Sequence, residues 1–381
     1  MPEQQQQKIF AMTNADSLLG YAQAYYFLKQ LEEEIKKNIK LRLFCRQKDH
    51  YDMQTLEKMG GELIETDYMD PHQVDQGLEG VYYLMYIPEF ANERFQQGYN
   101  VLTTARKHQV QYVSMLSILG VDHAIHYNDW PNLNTYYRLE QIMCNNFNSE
   151  QYCIFRLPMF NTVFYTLTPM VENENKLRMP LKKGTRIAII DMEDCIEGIY
   201  NLSVEKEDEN EKKDQPPLPQ EDNQFFFMRY LFPSSSTTST VSTRQQQESG
   251  KKKKNRTMFE FTPANTCPSG EEMAQQMAQG LDKEHLDYDE ISEDEMRQYL
   301  ESIRHDERFH RGERKNEYLF PVGSFVRDNT IHTLMEYYRL TNSEQDPLDK
   351  VTQDLEHALH RSPMTLLDFF RKNRENFRPL Q

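Results

Sequence analysis

The sequence predicts an α/β protein with a doubly wound parallel sheet and a smaller, mostly helical C-terminal cap. Three observations carry that expectation. From Lys8 to Val204, short apolar runs alternate with helical patterns, as repeated βαβ units do. The chain opens with a strand, a short polar turn and an amphipathic helix, the first half of such a unit. From Ser269 onward the periodicity is helical.

The elements follow in order. Ile9–Met12 reads as the first strand and Leu18–Lys36 as the helix after it. Leu41–Cys45 is a second strand, Gln54–Met59 a helix and Glu62–Thr66 a third strand. Val81–Ile87 is the fourth strand, followed by a helix over Glu93–His108. Tyr112–Leu116 is the fifth, followed by a helix from Asn134 to Asn146. Strands recur at Tyr152–Arg156 and Thr185–Ile190. Such connections cross over right-handedly. The cap pattern gives helices over Gly270–Gly280, Ser292–Ser302, His332–Arg339 and Pro363–Asn373. In doubly wound folds the ligand crevice lies at the carboxyl ends of the strands, where this cap would close over it.

Two stretches interrupt the alternation. Glu205–Asp222 is rich in Glu, Asp, Lys and Pro, a solvated linker over 205–223. Pro233–Arg256 runs through Ser/Thr and Gln to the basic block Lys251–Lys254. The apolar segment Gln224–Phe232 and Thr257–Phe261 read as the two arms of a hairpin over 224–262 with a long disordered tip. Residues 1–7 read as a tail, 8–204 as the sheet domain and 263–381 as the cap.

Composition narrows the function classes. The net charge of −16 argues against direct nucleic-acid binding, which needs an excess of Lys and Arg against phosphate. The cysteines Cys45, Cys144, Cys153, Cys195 and Cys267 are scattered without a CxxC, as reduced thiols in an intracellular chain are. No apolar run approaches a membrane span, and the start has no signal-peptide core. A soluble cytoplasmic protein is expected. The Lys251–Lys254 block reads either as a nuclear-import signal or as a solvating charge run.

The turn after the first strand is Thr13-Asn14-Ala15-Asp16-Ser17-Leu18-Leu19-Gly20. It is in frame with a TGxxGxxG dinucleotide loop whose first two glycines are replaced. Asn14 tolerates the tight-turn backbone, Ser17 puts a side chain where a pyrophosphate approaches, and Gly20 keeps the close packing of helix on strand. Asp16 reads either as an anion competing for the helix N-terminus or, with Ser17, as a candidate N-cap. Further in-frame segments are Leu41 to Arg46, Thr66-Asp67-Tyr68-Met69-Asp70-Pro71 and Leu78-Glu79-Gly80-Val81. Tyr112 to Asp122, Phe155-Arg156-Leu157-Pro158 with Phe160, Ile190 to Asp194, and Thr365 to Phe377 complete the series.

In this order and spacing the chain resembles the NmrA-like branch of the extended short-chain dehydrogenase/reductase group, with a Rossmann-type fold. The resemblance covers nearly the whole chain apart from the two insertions. It implies an NADP(H) site, weak or lost, formed by Thr13, Asn14, Asp16, Ser17, Leu18, Gly20, Arg46, Asp67, Tyr68 and Arg138. Arg46 would face an adenosine 2′-phosphate, since no acidic residue ends that strand. The usual chemistry of the superfamily needs a Tyr and a Lys four apart on the helix after the fifth strand, the Lys lowering the tyrosine pKa. Aligned here, the Lys position is Arg138 and the position four before it is Asn134, with Ser117 at the second serine of the fifth strand. Tyr136 and Tyr137 are out of phase with Arg138, so the standard proton relay is absent from this frame.

No other catalytic or metal constellation stands out. His305 and His310 are five apart, off one helix face, and His357 and His360 sit in a polar stretch. Neither a P-loop nor a Gly-x-Ser-x-Gly elbow occurs. Three functions remain. The first is a regulatory or redox-sensing protein acting through protein partners, which the resemblance extends to transcription factors. The second is an NADP-dependent oxidoreductase improvising with Arg138 and Tyr127 or Tyr137. The third is a scaffold with an empty pocket, or with another small molecule in the crevice.

Overall fold

The computed structural model describes residues 7–31, 38–49, 52–204, 256–307, 326–343 and 348–377. Its centre is a seven-stranded parallel sheet in the order β10-β6-β5-β4-β1-β2-β3. These strands are β1 (Lys8–Met12), β2 (Ile39–Cys45), β3 (Glu62–Glu65), β4 (Val81–Tyr86), β5 (Tyr112–Ile118), β6 (Tyr152–Leu157) and β10 (Met258–Glu260). Alternation along each strand splits the core between the two faces. Phe10, Met12, Leu43 and Tyr83 pack under α1 (Leu18–Gln30) and α8 (Met192–Val204), with Phe27 and Ile199. Ala11, Phe44 and Leu84 pack on the other face, with Val101 of α4 (Arg94–Lys107) and Leu139 of α5 (Pro131–Asn146).

The doubly wound sheet and the helical cap are as the sequence predicts. Differences lie at the edges. Thr185–Ile190 is not a strand of the main sheet: only β9 (Ile189–Ile190) is extended, pairing with β7 (Met159–Phe160). Its preceding backbone is taken by the cap, since the Ile187 and Ala188 N–H groups donate to Pro268 and Leu348 carbonyls. The helix α3 (Pro71–Gly77) was not expected, although Asp70 caps it through the His72 N–H at 2.9 Å and proline stands at its first position. β10 lies parallel to β6 at the sheet edge, and its expected hairpin partner Gln224–Phe232 lies outside the described residues. So do the Glu205–Asp222 linker, the Pro233–Lys254 stretch and His310.

The sheet unit therefore draws on chain beyond Val204. β10 extends it, and α12 (Asp354–Leu359) packs Leu355 and Ala358 beside α8. Arg256 anchors this return by stacking on Phe259 and pairing with buried Asp354. The cap gathers around its own core of Phe164, Met277, Met335, Phe369 and Phe370. It comprises α6 (Val163–Thr166), α7 (Thr168–Glu174), α9 (Gly270–Gly280), α10 (Glu293–His305), α11 (Asp328–Thr341) and α13 (Leu366–Lys372). It also holds an unforeseen pair of parallel strands, β8 (Lys176–Met179) with β11 (Asp287–Glu290). Capping boxes at Ser269/Glu272 and Ser292/Glu295 start α9 and α10, so the cap helices begin where polar side chains replace missing backbone partners. A short helix α2 (Met53–Lys58) connects β2 to β3, and a 3-10 turn Val121–His123 follows β5.

Candidate functional site

Strand order reverses between β1 and β4, and a crevice is expected at that point. A cleft of about 300 Å³ opens there. Its floor is the β1–α1 turn with the ends of β4, β5 and β6, and its roof is α10 and α11 of the cap. Asn14, Ser17, Leu18, Arg46 and Ser117 line it. Thr13, Asp16, Gly20 and Tyr68 lie behind that wall and build its frame.

The frame is stitched by hydrogen bonds. The Thr13 hydroxyl donates to the Ile87 carbonyl (3.0 Å) and accepts the Ile87 N–H (2.8 Å), locking the turn to the end of β4. Asn14 adopts a left-handed backbone with φ 54°, which its short polar side chain tolerates, and its N–H donates to the buried Tyr68 hydroxyl at 2.8 Å. The cap of α1 is Ser17: its Oγ accepts the Gly20 N–H (3.0 Å) and donates to the Asn14 carbonyl (2.8 Å). A Cβ at Gly20 would stand 2.0 Å from the Asn14 oxygen, so only glycine lets helix and turn approach this closely.

Asp16 does not sit over the helix N-terminus, neither competing for it nor capping it. Its carboxylate turns to the end of β2, accepting the Arg46 N–H (3.3 Å) and pairing with the Arg46 guanidinium at 3.4 Å. A second carboxylate meets the same guanidinium: Glu89, just beyond β4, lies 3.3 Å away. Both acids are nearly closed to solvent, at 1% and 4% exposure, whereas the Arg46 side chain is 34% exposed and faces the cleft. Burial pushes the Glu89 carboxyl up to about 7; Arg46 opposes the shift and Asp16 adds to it. Burial pulls Arg46 down, but Glu89 and Asp16 more than offset it.

Two expected residues lie elsewhere. Arg138 is exposed and stacked over Phe95 at 3.6 Å, on the outer side of α5, so it cannot meet a ligand in this cleft. Asp67 is an exposed turn residue accepting the Met69 N–H. Asn134 is buried and ties the loop before α5 through the Ala124 and Ile125 carbonyls, both at 2.9 Å. Tyr127 is 55% exposed on that loop.

The side of α5 that faces the sheet carries Tyr136 and, one turn later, Glu140. Tyr136 lines the cleft, and the buried Glu140 carboxylate accepts the Ser117 hydroxyl at 2.6 Å. Arg156 holds Glu140 at 3.1 and 2.8 Å and also meets Asp122 and Glu260. Burial raises the Tyr136 pKa, with Arg94 lowering it and Glu89 raising it further. The face that could serve a proton relay therefore has Ser and Tyr in place but an acid, already paired, where a cation would be needed. Sequence reasoning missed Glu89 and Glu140, and set Tyr136 aside as out of phase with Arg138. The signals were a carboxylate directly after the apolar run Val81–Pro88, and Pro131, which sets the first turn of α5 and so its phase.

Among the described residues no group of His, Cys, Asp and Glu could hold a metal ion, and no helix is long and apolar enough to cross a membrane. His357 lies in α12 and His360 terminates it with a left-handed backbone.

A sequence profile of the NmrA-like family matches residues 22–219. No curated protein sequence matches the chain. Among solved structures, an NADPH-dependent quinone oxidoreductase from Escherichia coli, in complex with NADPH, superposes with TM-score 0.63 at 14% identity, over 96% of this chain and 99% of that one. The triphenylmethane reductase of a Citrobacter species gives TM-score 0.63 at 14%, over 97% and 99%. NmrA, a negative transcriptional regulator in complex with NADP, gives 0.59 at 12%, over 97% and 95%. At these identities the likeness is one of fold.

Proposed function

The chain belongs to the NmrA-like family, and from that premise we propose that it is a regulatory protein whose crevice binds a nicotinamide dinucleotide weakly and which works through protein partners, without Tyr–Lys chemistry. The observation that carries this is the face of α5 toward the sheet. A lysine one turn after the tyrosine would stabilise a phenolate; Glu140 at that place is an anion, committed to Ser117 and Arg156. Binding is favoured by the intact frame around Thr13 and Gly20 and by the position of the first turn of α1 at the carboxyl edge of the sheet. It is weakened by the Ser17 side chain in the turn and by the carboxylates on Arg46.

A transcription-regulating role is the one borne by the NmrA neighbour, and the lack of a proton relay favours that reading for this chain. The apolar wall of the cleft favours a second one. Phe90, Ile118, Phe160, Leu300, Ile331 and Leu334 would suit a flat apolar acceptor, and hydride transfer to such an acceptor does not require the tyrosine. Calorimetric titration with NADH and NADPH tests the proposal. We expect dissociation constants of tens to hundreds of micromolar, roughly −5 to −6 kcal/mol. Submicromolar affinity for NADPH, or no heat at millimolar dinucleotide, contradicts it.

A further inference from the structure

We propose that Glu89 governs which dinucleotide the crevice takes: with Asp16 it occupies the Arg46 guanidinium, so that the adenosine 2′-phosphate of NADPH gains Arg46 only when Glu89 is neutral. The inference rests on the dinucleotide reading above and goes beyond it by naming a selecting residue and a proton that controls it.

The geometry gives the reason. Arg46 is the first residue beyond β2, at the edge where a cation serves a 2′-phosphate. An arginine with no partner would offer its planar fork to that phosphate. Here Asp16 approaches Nε at 3.4 Å and Glu89 approaches Nη1 at 3.3 Å. Two buried anions on one guanidinium more than cancel the charge of Arg46 itself, so that this side chain has little attraction left for a phosphate. The two acids are not equivalent. Each keeps one oxygen without a hydrogen-bond partner among the described residues, but Asp16 is also tied to the Arg46 backbone N–H, whereas Glu89 meets Arg46 only at the guanidinium. Glu89 lines the cleft and Asp16 does not. Glu89 is therefore the acid positioned to change state when the crevice fills.

The charged and titratable groups facing Glu89 come from every neighbouring element. Arg46 and Asp16 stand on one side, Arg94 of α4 and Arg327 before α11 on others, and the buried hydroxyls of Tyr68, Tyr86 and Tyr136 lie within its field. Arg327 also lines the cleft, so the cap contributes to the balance of charge. The Glu89 carboxyl, pushed up to about 7 by burial, with Arg46 opposing and Asp16 adding, takes up its proton as the pH falls through neutrality. Protonation removes one of the two anions on Arg46. NADPH affinity should then rise on acidification while NADH affinity stays level, since NADH brings no phosphate to Arg46.

The test is calorimetric titration of the full chain with NADH and NADPH at about pH 8 and pH 6.5, for the wild type, Glu89→Gln, and Glu89→Gln with Arg46→Ala. The 2′-phosphate itself titrates near this range, so the comparison of wild type with Glu89→Gln at each pH isolates the side chain. We expect Glu89→Gln to tighten NADPH roughly tenfold at the higher pH, to leave NADH within about threefold, and to remove the difference between wild type and variant at lower pH. Arg46→Ala should erase the gain. If NADH binds every variant and NADPH does not tighten in Glu89→Gln, or both dinucleotides tighten together, the selecting role is overturned while the dinucleotide reading stands. If neither binds any folded variant, both are overturned. Should Glu89→Gln fail to fold, Glu89→Ala removes the same charge from Arg46, and unchanged NADPH affinity there also overturns the inference.

Discussion

Glu89 shows how one side chain ties the site to stability as well as to binding. Its carboxyl is raised to about 7 in the folded chain, with burial the main cause, against 4.5 ordinarily. The folded state therefore holds a proton that the unfolded chain releases as pH climbs. The stability this contributes is fully present below about pH 4.5 and is lost as pH rises through about 7. Glu89→Gln lacks this loss, so the variant should gain about 1–3 kcal/mol over the wild type between about pH 5 and pH 8. Urea unfolding of both proteins at the two values measures it; an equal pH response in the two would contradict the assignment. The sequence made some of these residues legible and not others. Asn14, Ser17 and Gly20 could be placed because a turn with a left-handed residue, a cap and a close approach has few chemical solutions. Asp16 could not, since its partner Arg46 is thirty residues away and only the pairing of β1 with β2 brings them together. Arg138 was misplaced by a helix phase: a shift of two positions turns a side chain from the cleft to Phe95.

At the scale of elements, the junction of α5 with the cap is the most exposed to test. Buried Glu336 of α11 accepts the Asn132 backbone N–H (3.0 Å), the Leu133 N–H (2.8 Å) and the Asn132 side-chain amide (2.6 Å). A carboxylate from a cap helix thus satisfies the first turn of the helix that carries Tyr136 and Glu140, where unpaired amides and the helix dipole favour negative charge. Glu336→Ala should destabilise the protein by about 1–3 kcal/mol, with Glu336→Gln recovering part of that. A thermal scan of both variants reads it, and an unchanged midpoint for Glu336→Ala would remove the clamp from the account. Such a contact spans about two hundred residues and leaves no local pattern, so periodicity alone starts α5 at Asn134, whereas the helix begins at Pro131. Strands with strict alternation and helices with Ser/Glu capping boxes were readable because their signal is local. β8 and β11, four polar-rich residues each, had none, and exist because the cap core closes beneath them.

For the whole molecule, the fold class followed from the repeated alternation of apolar runs and helical patterns, whereas the composition of the sheet did not. The strand at Met258–Glu260 joins β6 after a long excursion of chain, and no periodicity announces that return. The assembled molecule is a sheet whose switch-point crevice is roofed by α10 and α11, with the β1–α1 turn on one side and Ser117, bonded to buried Glu140, on the other. On the proposed function, a dinucleotide held in this crevice undergoes no tyrosine-dependent turnover. The most direct measurement mixes the protein, saturated with NADPH, with a soluble quinone or an aldehyde in a stopped-flow instrument and follows the nicotinamide absorbance. We expect loss at the rate of the protein-free control, in the wild type and in Tyr136→Phe alike. A protein-dependent loss that Tyr136→Phe abolishes would contradict it.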